Sequence, residues 1–216
     1  MAKTLSALQT RDMFLYISDK IVDSKPYLTE VDSKIGDGDH GIGMSIGLSK
    51  AREALEKITP TTINEVFSTT GMSMIKSMGG ASGVIFGTMF FGGVKGMEPK
   101  NELDTAVLAQ IFEKSLVSIK ERGKAEVGDK TMIDAFEPAV LSLKASSEAD
   151  KGLGESIAAA EEASRQGMEN TKNYIAKFGR AKSLGERAIG YQDAGATSVW
   201  IIFRSMKEWI EQNGKV

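Results

Sequence analysis

Apolar residues recur at helical spacing along most of this 216-residue chain, and this periodicity most constrains its fold. Phe14, Ile17 and Ile21 predict a first helix from about residue 8 to 24, and Pro26 then indicates a break. Further segments with helical spacing or strong helix formers are residues 41–57, a helix capped by Thr61 or Thr62, and residues 108–119, 133–143, 155–173 and 199–210.

Residues 84–91 leave a choice between a buried strand and a helix. The run Val-Ile-Phe-Gly-Thr-Met-Phe-Phe is mostly apolar, but it follows a Gly-Gly loop and has no hairpin partner. A helix is the preferred interpretation, which brings the count to about eight. Since the chain has no internal repeat and no long linker, we expect one all-α domain over residues 1–216.

The composition argues against several classes of function. The formal net charge is −2 and no broad basic stripe is present, so a nucleic-acid partner is not expected. The absence of cysteine excludes disulfides and Cys-ligated zinc, and it is compatible with a cytoplasmic location. The first residues predict no signal peptide, and the most apolar segment, residues 83–94, is too short to span a membrane.

Asp32, Asp37 and Asp39 lie within eight residues of a glycine-broken segment in which Lys34 is the one cation. Three carboxylates this close repel one another unless a cation neutralises them. Carboxylate oxygens are hard ligands, which suit Mg²⁺ or Ca²⁺. The pattern therefore predicts a divalent-metal site just before a helix begins.

Two other interpretations of this acidic segment are an EF-hand and a solvated turn. An EF-hand requires a bidentate acid at position 12, but counting from Asp37 that position is Leu48, and counting from Asp32 position 3 is Lys34. A solvated turn whose acids cap the next helix is the plainer alternative. Glycines between the acids let a bulky ligand approach, which favours one or two metals that hold a phosphate chain.

Three other loops carry weaker signals. Residues 77–83 are mostly small and lead into an apolar helix whose N-terminal N–H groups favour anions, although such a segment is more often a structural turn. Residues 122–132 bring lysines and an aspartate around glycines, which is also typical of a charged, solvated loop. Residues 179–195 form a long loop in which Arg180 and Arg187 are candidates for binding phosphate, against a plain surface role. The P-loop and dinucleotide fingerprints are absent from the sequence.

Taken together, these loops resemble the nucleotide-binding L subunit of dihydroxyacetone kinases. The matching motifs, in family order, are Leu28-Thr29-x-x-Asp32-x-x-Ile35-Gly-Asp-Gly-Asp-His-Gly41, Gly79-Gly-Ala-Ser-Gly83, Gly123-Lys-Ala-Glu-x-Gly-Asp-Lys-Thr-Met132, Gly179-Arg-Ala-x-x-Leu-Gly-Glu-Arg-x-Ile-Gly190 and Gln192-Asp-x-Gly-Ala-Thr-Ser198. The resemblance covers nearly the whole chain. It implies an antiparallel barrel of eight amphipathic α-helices, with the nucleotide site in loops at one end.

The resemblance also implies the roles of individual residues. Asp32, Asp37 and Asp39 are expected to coordinate two Mg²⁺ ions that bridge the phosphates of ADP or ATP, and Arg180 adds positive charge during phosphoryl transfer. No general base is assigned within this chain. The residues expected to contact the nucleotide are His40, Gly41, Ile42, Gly43, Ala81, Ser82, Gly123, Met132, Arg180, Asp193, Ala194 and Gly195.

In this family the L subunit passes a phosphoryl group to a short-chain ketose held by a separate K subunit. In one branch a phosphotransferase-system M subunit rephosphorylates ADP in place, and in the other ATP exchanges freely; the sequence leaves this choice open, as it does homodimer formation. The chain departs from the family pattern at Gly43, Ile46, Tyr191 and Ala194, so a tetrulose such as erythrulose stays an alternative ketose. A phosphohydrolase acting alone and a coregulator of a DNA-binding protein are the alternative functions.

Overall fold

The computed structural model describes residues 3–213, and within that range α-helices form most of the chain. The elements are β1 (Leu5–Ser6), α1 (Ala7–Asp23), α2 (Lys25–Ile35), α3 (His40–Leu55), α4 (Ile63–Ser77), α5 (Gly80–Val94), β2 (Glu102–Leu103), α6 (Thr105–Gly123), α7 (Ile133–Glu148), α8 (Leu153–Asn170) and α9 (Ala194–Asn213). Two 3-10 segments, Thr171–Asn173 and Arg180–Ala188, lie between α8 and α9. The all-α prediction is confirmed, including the helical interpretation of residues 84–91.

Eight of these helices close into a ring. The packing order is α1, α3, α4, α5, α6, α7, α8 and α9, and α9 packs in turn against α1. Short connections join most consecutive helices, so neighbours in the ring run antiparallel. The eight-helix barrel that the family resemblance implies is therefore present.

Phenylalanine side chains form the centre of the barrel. Phe112 lies with its ring centroid 5.9 Å from Phe67, 5.4 Å from Phe136 and 5.6 Å from Phe203, each in an edge-to-face arrangement. Phe14 extends the cluster, 4.8 Å from Phe67. Burial of these rings, which have at most 1% exposure, supplies a large share of the hydrophobic stabilisation.

Helix α2 corrects the sequence prediction. The break that Pro26 indicates is present, since α1 ends at Asp23, but a second helix that was not predicted begins at once. Pro26 lies in the first turn of this α2, where a missing N–H costs no hydrogen bond. Leu28, Val31 and Ile35 are the buried residues of this helix, which packs on α3 and α9 outside the ring. Asp32 consequently lies in a helix rather than in a loop.

The two ends of the barrel differ in their connections. At one end, β1 pairs with β2 in a short antiparallel ladder, with Leu5 opposite Leu103. The other end, which we call the site end, contains residues 36–39, 78–79, 124–132 and 171–193. All four loops singled out from the sequence therefore meet at the same end of the barrel.

Candidate functional site

The three aspartates come together at the site end. Asp32 lies in the last turn of α2, Asp37 lies in the connection to α3, and Asp39 immediately precedes α3. One carboxylate oxygen from each lies within 4.8 Å of the other two. Gly38, with φ of 76°, adopts the left-handed conformation that allows the connection to turn this sharply.

The electrostatics of this cluster favour a cation. Burial, followed by the charge of Asp37, raises the pKa of Asp39. Arg180 donates from Nε to Asp37 Oδ2 at 2.7 Å, but its side chain is 76% exposed, so it balances the cluster only partly. Three hard oxygen donors with excess negative charge fit Mg²⁺, and no sulfur ligand favours a softer metal.

His40 joins the cluster to α9. Its backbone N–H donates to Asp32 Oδ2 at 3.2 Å, and its Nε2 lies 2.8 Å from Ser198 Oγ. Burial lowers the pKa of His40 to about 4 despite the opposing charge of Asp32, so the ring is neutral at pH 7. Because Asp32 contacts the backbone rather than the ring, and Ser198 is fully buried, this is not a hydrolase triad.

Helix α5 begins at the same site end of the barrel, and its first N–H groups have no side-chain cap. Gly79 precedes it without a side-chain cap, and Ala81 and Ser82 lie exposed in its first turn. The helices α1, α4 and α6 have side-chain caps, from Ser6, Thr62 and Asp104 respectively, whereas α2, α3, α7 and α8 begin without one, as α5 does. An uncapped helix start with small residues gives a phosphate room and N–H donors.

Gly41, Ile42 and Gly43 occupy the first turn of α3. A Cβ on Gly41 would lie 2.5 Å from the carbonyl oxygen of Lys25 and 2.5 Å from Thr29 Oγ1, so this glycine allows α3 to pack on α2. Ile42 is exposed, and Gly43 is partly buried with only Met78 nearby. The structure thus gives Gly41 a packing role, and its contact with a nucleotide stays a prediction.

Met132, Asp193 and Gly195 lie together where α7 and α9 begin. Asp193 Oδ2 accepts the Ala196 N–H at 2.7 Å, and burial raises the pKa of Asp193 to about 7. A Cβ on Gly195 would lie 3.3 Å from Met132 Cβ, so the two residues face one another. Gly123 ends α6 near Ile85, while Ala194 is buried in the first turn of α9.

The third loop, residues 122–132, is solvated only in part: Lys124, Glu126 and Val127 are exposed, but the end of the loop and the start of α7 are buried. Asp129 is 5% exposed, Lys130 is 2% exposed and Asp134 is 1% exposed. Asp134 accepts backbone N–H bonds from Gly128 at 2.5 Å and Thr131 at 2.6 Å, which hold the loop against α7. Sequence analysis missed this network because its partners are backbone groups that no motif displays.

The model of the DAK2 domain matches residues 34–208. This range includes Asp37 and Asp39 of the acidic cluster, the α5 start and the Arg180 loop, and it begins two residues after Asp32. The chain belongs to the DAK2-domain family. The resemblance to the L subunits of dihydroxyacetone kinases is thereby confirmed.

Two relatives of this DAK2-domain chain are similar over almost their whole length. The PEP-dependent dihydroxyacetone kinase, ADP-binding subunit DhaL, of Escherichia coli K12 is 38% identical over 94% of this chain and 97% of its own. The PTS-dependent dihydroxyacetone kinase, ADP-binding subunit DhaL, of Lactococcus lactis is 34% identical over 88% of this chain and 91% of its own.

A solved structure has the same fold. The dihydroxyacetone kinase of C. freundii, in complex with AMP-PNP and Mg²⁺, superposes on 96% of this DAK2-domain chain with a TM-score of 0.73 and 23% identity. The chain spans only 35% of that protein. Across residues 3–213, no helix combines the length and the apolar character that a bilayer crossing needs. The cytoplasmic location stays a prediction.

Proposed function

We propose that this chain is the nucleotide-holding subunit of a kinase for dihydroxyacetone or a related short-chain ketose. It would hold ADP or ATP through two Mg²⁺ ions and pass the phosphoryl group to a ketose on a separate K subunit. The observation that carries this proposal is the convergence of three carboxylates within 4.8 Å at the barrel end where α5 begins and Arg180 approaches.

Different residues would have different roles in phosphoryl transfer. Asp32, Asp37 and Asp39 would hold the metals, which neutralise charge on the phosphate oxygens when bound. The free N–H groups at the start of α5 and the guanidinium of Arg180 add fixed donors on the same end of the barrel. His40 is neutral at pH 7 and is held by Ser198, so it is suited to a polar contact rather than a charge contact.

The ketose and its general base belong to the partner in this proposal. The relatives from Escherichia coli and Lactococcus lactis are named as ADP-binding subunits, and this chain covers more than nine-tenths of each. That similarity supports a chain that works with a separate K subunit. The names PEP-dependent and PTS-dependent support an M subunit as the phosphoryl donor rather than exchange with free ATP, and dihydroxyacetone rather than a tetrulose as the acceptor.

Native mass spectrometry of the purified chain tests the nucleotide and metal parts of the proposal. We expect one ADP and two Mg²⁺ ions per chain, retained through purification in the carrier-fed arrangement. Chelation of the metal should release the nucleotide, since the carboxylates cannot hold its phosphates directly. A chain that binds no ADP or ATP even in excess Mg²⁺ would contradict the proposal.

A further inference from the structure

Residues 171–193 form a closed loop whose two ends are tied together. The N–H of Gly190 donates to the carbonyl oxygen of Lys172 at 2.7 Å. The N–H of Asp193 donates to Thr171 Oγ1 at 2.9 Å. Between these ties the chain runs out to Arg180, which reaches Asp37 in the acidic cluster. The loop therefore places one cation at the candidate metal site.

Lys130 joins both ends of this loop from outside it. Its Nζ donates to the carbonyl oxygen of Thr171 and to that of Tyr191, each at 2.5 Å. Thr171 begins the loop and Tyr191 lies near its end. One ammonium group therefore holds together the two ends of the loop, residues 171–172 and 190–193, which we call its neck.

Burial of this ammonium group is costly. The Lys130 residue is 2% exposed, and burial lowers its pKa although Asp193 and Asp134 oppose that shift. Asp134 accepts backbone N–H groups and forms no ion pair with Lys130 among the described contacts. The charge is compensated by carbonyl oxygens of the loop, and charge-assisted hydrogen bonds of this kind are stronger than neutral ones.

Asp129, the residue before Lys130, makes a third contact with the loop. The N–H of Lys177 donates to the carbonyl oxygen of Asp129 at 3.1 Å, and its Nζ lies 2.6 Å from Asp129 Oδ1. Lys177 is three positions before Arg180. Asp129 and Lys130 together hold the loop at its start, at its end and close to the arginine.

We propose that Lys130 is a positioning residue, which anchors the neck of residues 171–193 and so keeps Arg180 over the acidic cluster. Its link to nucleotide binding rests on the proposed function above. Without the ammonium group, the buried carbonyl oxygen of Thr171 and the partly buried carbonyl oxygen of Tyr191 lose their donor, and the two ends of the loop separate more often. Arg180 then leaves Asp37 more often, and a bound nucleotide dissociates faster.

Hydrogen exchange of the ligand-free full chain tests the anchoring directly. In Lys130→Met we expect the amides of residues 174–190 to exchange about tenfold faster or more, while α4 and α5 keep their rates. Lys207→Met is the matched control, because Lys207 Nζ also bonds a buried group, Glu161 Oε2, at 3.1 Å, but between α8 and α9. That control should leave residues 174–190 unchanged.

ADP titration of the same variants distinguishes a change in the position of Arg180 from misfolding of part of the protein. We expect the Kd for ADP to rise about tenfold with one site per chain retained, whereas a merely structural defect lowers the number of sites at unchanged Kd. If Lys130→Met does not fold, Lys130→Gln replaces it in both experiments, because the shorter amide also lacks the charge.

Unchanged exchange at residues 174–190, or an equal increase throughout the chain, would overturn the anchoring role. If the wild type binds no ADP, the proposed function fails, while the exchange comparison still decides the role of Lys130.

Discussion

At the scale of single residues, Asp37 and Asp19 are a matched pair of surface aspartates. Asp37 accepts from Arg180 Nε at 2.7 Å, and Asp19 accepts from Arg52 Nε at 2.8 Å. Only Asp37 belongs to the acidic cluster. Because metal binding depends on membership of the cluster and not on the ion pair, the two residues should respond differently to the same substitution.

Asp37→Asn should weaken Mg²⁺-dependent ADP binding by roughly 10²-fold or more, because a ligand charge is lost without a change in shape. Asp19→Asn should leave that binding unchanged. Calorimetric titration of ADP with and without Mg²⁺ measures both. Equal affinities for the two variants would contradict the metal role of Asp37.

The roles of some of these residues can be predicted from the sequence, and the roles of others cannot. Asp32, Asp37 and Asp39 could be grouped because they are close in sequence and carry one kind of chemistry. Lys130 could not, since its partners Thr171 and Tyr191 are 41 and 61 positions away and contribute only backbone carbonyls. A buried lysine of this kind has the same sequence appearance as a solvated one.

At the scale of the elements, the junction of α2 with α3 determines where Asp32 lies. Gly41 lets the first turn of α3 approach the carbonyl of Lys25 and the side chain of Thr29. Gly43, two positions on, faces open space apart from Met78 Cε at 3.7 Å. The same added methyl group should therefore have opposite consequences at these two glycines.

Gly41→Ala should reduce the free energy of unfolding by about 1–3 kcal/mol, because a Cβ there meets backbone and Thr29 at 2.5 Å and must displace α2. It should also weaken ADP binding, as Asp32 moves with the helix. Gly43→Ala should be neutral or slightly stabilising, since alanine favours a helix over glycine. Chemical denaturation of both variants checks this, and equal stabilities would rule out the close packing of α2 on α3.

Helix α2 also marks a limit of prediction from sequence. Pro26 is compatible with a break and with a helix start, and the choice depends on whether the following residues have a surface to pack on. That surface comes from α3 and from α9 at the far end of the chain. By contrast, α5 was predictable because a buried strand without a partner would leave its backbone unpaired.

At the scale of the whole molecule, closure of the helix ring brings four separate loops to one end. Helical periodicity alone predicts most of the helices but not their closure into a barrel, which the family resemblance implies. Burial of the phenylalanine cluster inside the ring stabilises the closed barrel. Phe112 is central to it, with three aromatic neighbours drawn from α4, α7 and α9.

Phe112→Ala should lower the free energy of unfolding by about 3–5 kcal/mol, because the cavity cannot collapse between helices from opposite parts of the ring. Phe178→Ala is the matched control. Phe178 is 37% exposed on the Arg180 loop, and its loss should change stability by no more than about 0.5 kcal/mol. Equal unfolding midpoints for the two variants would contradict the role of the cluster in closing the barrel.

The central claim is that this chain transfers a phosphoryl group only in concert with a ketose-binding partner. Its most direct test is an assay of dihydroxyacetone phosphorylation with the purified chain, a K-type subunit and a phosphoryl donor, with each protein omitted in turn. We expect phosphorylated ketose only when both subunits are present, and we expect its loss with Asp37→Asn but not with Asp19→Asn. Ketose phosphorylation by this chain without a K-type subunit would contradict it.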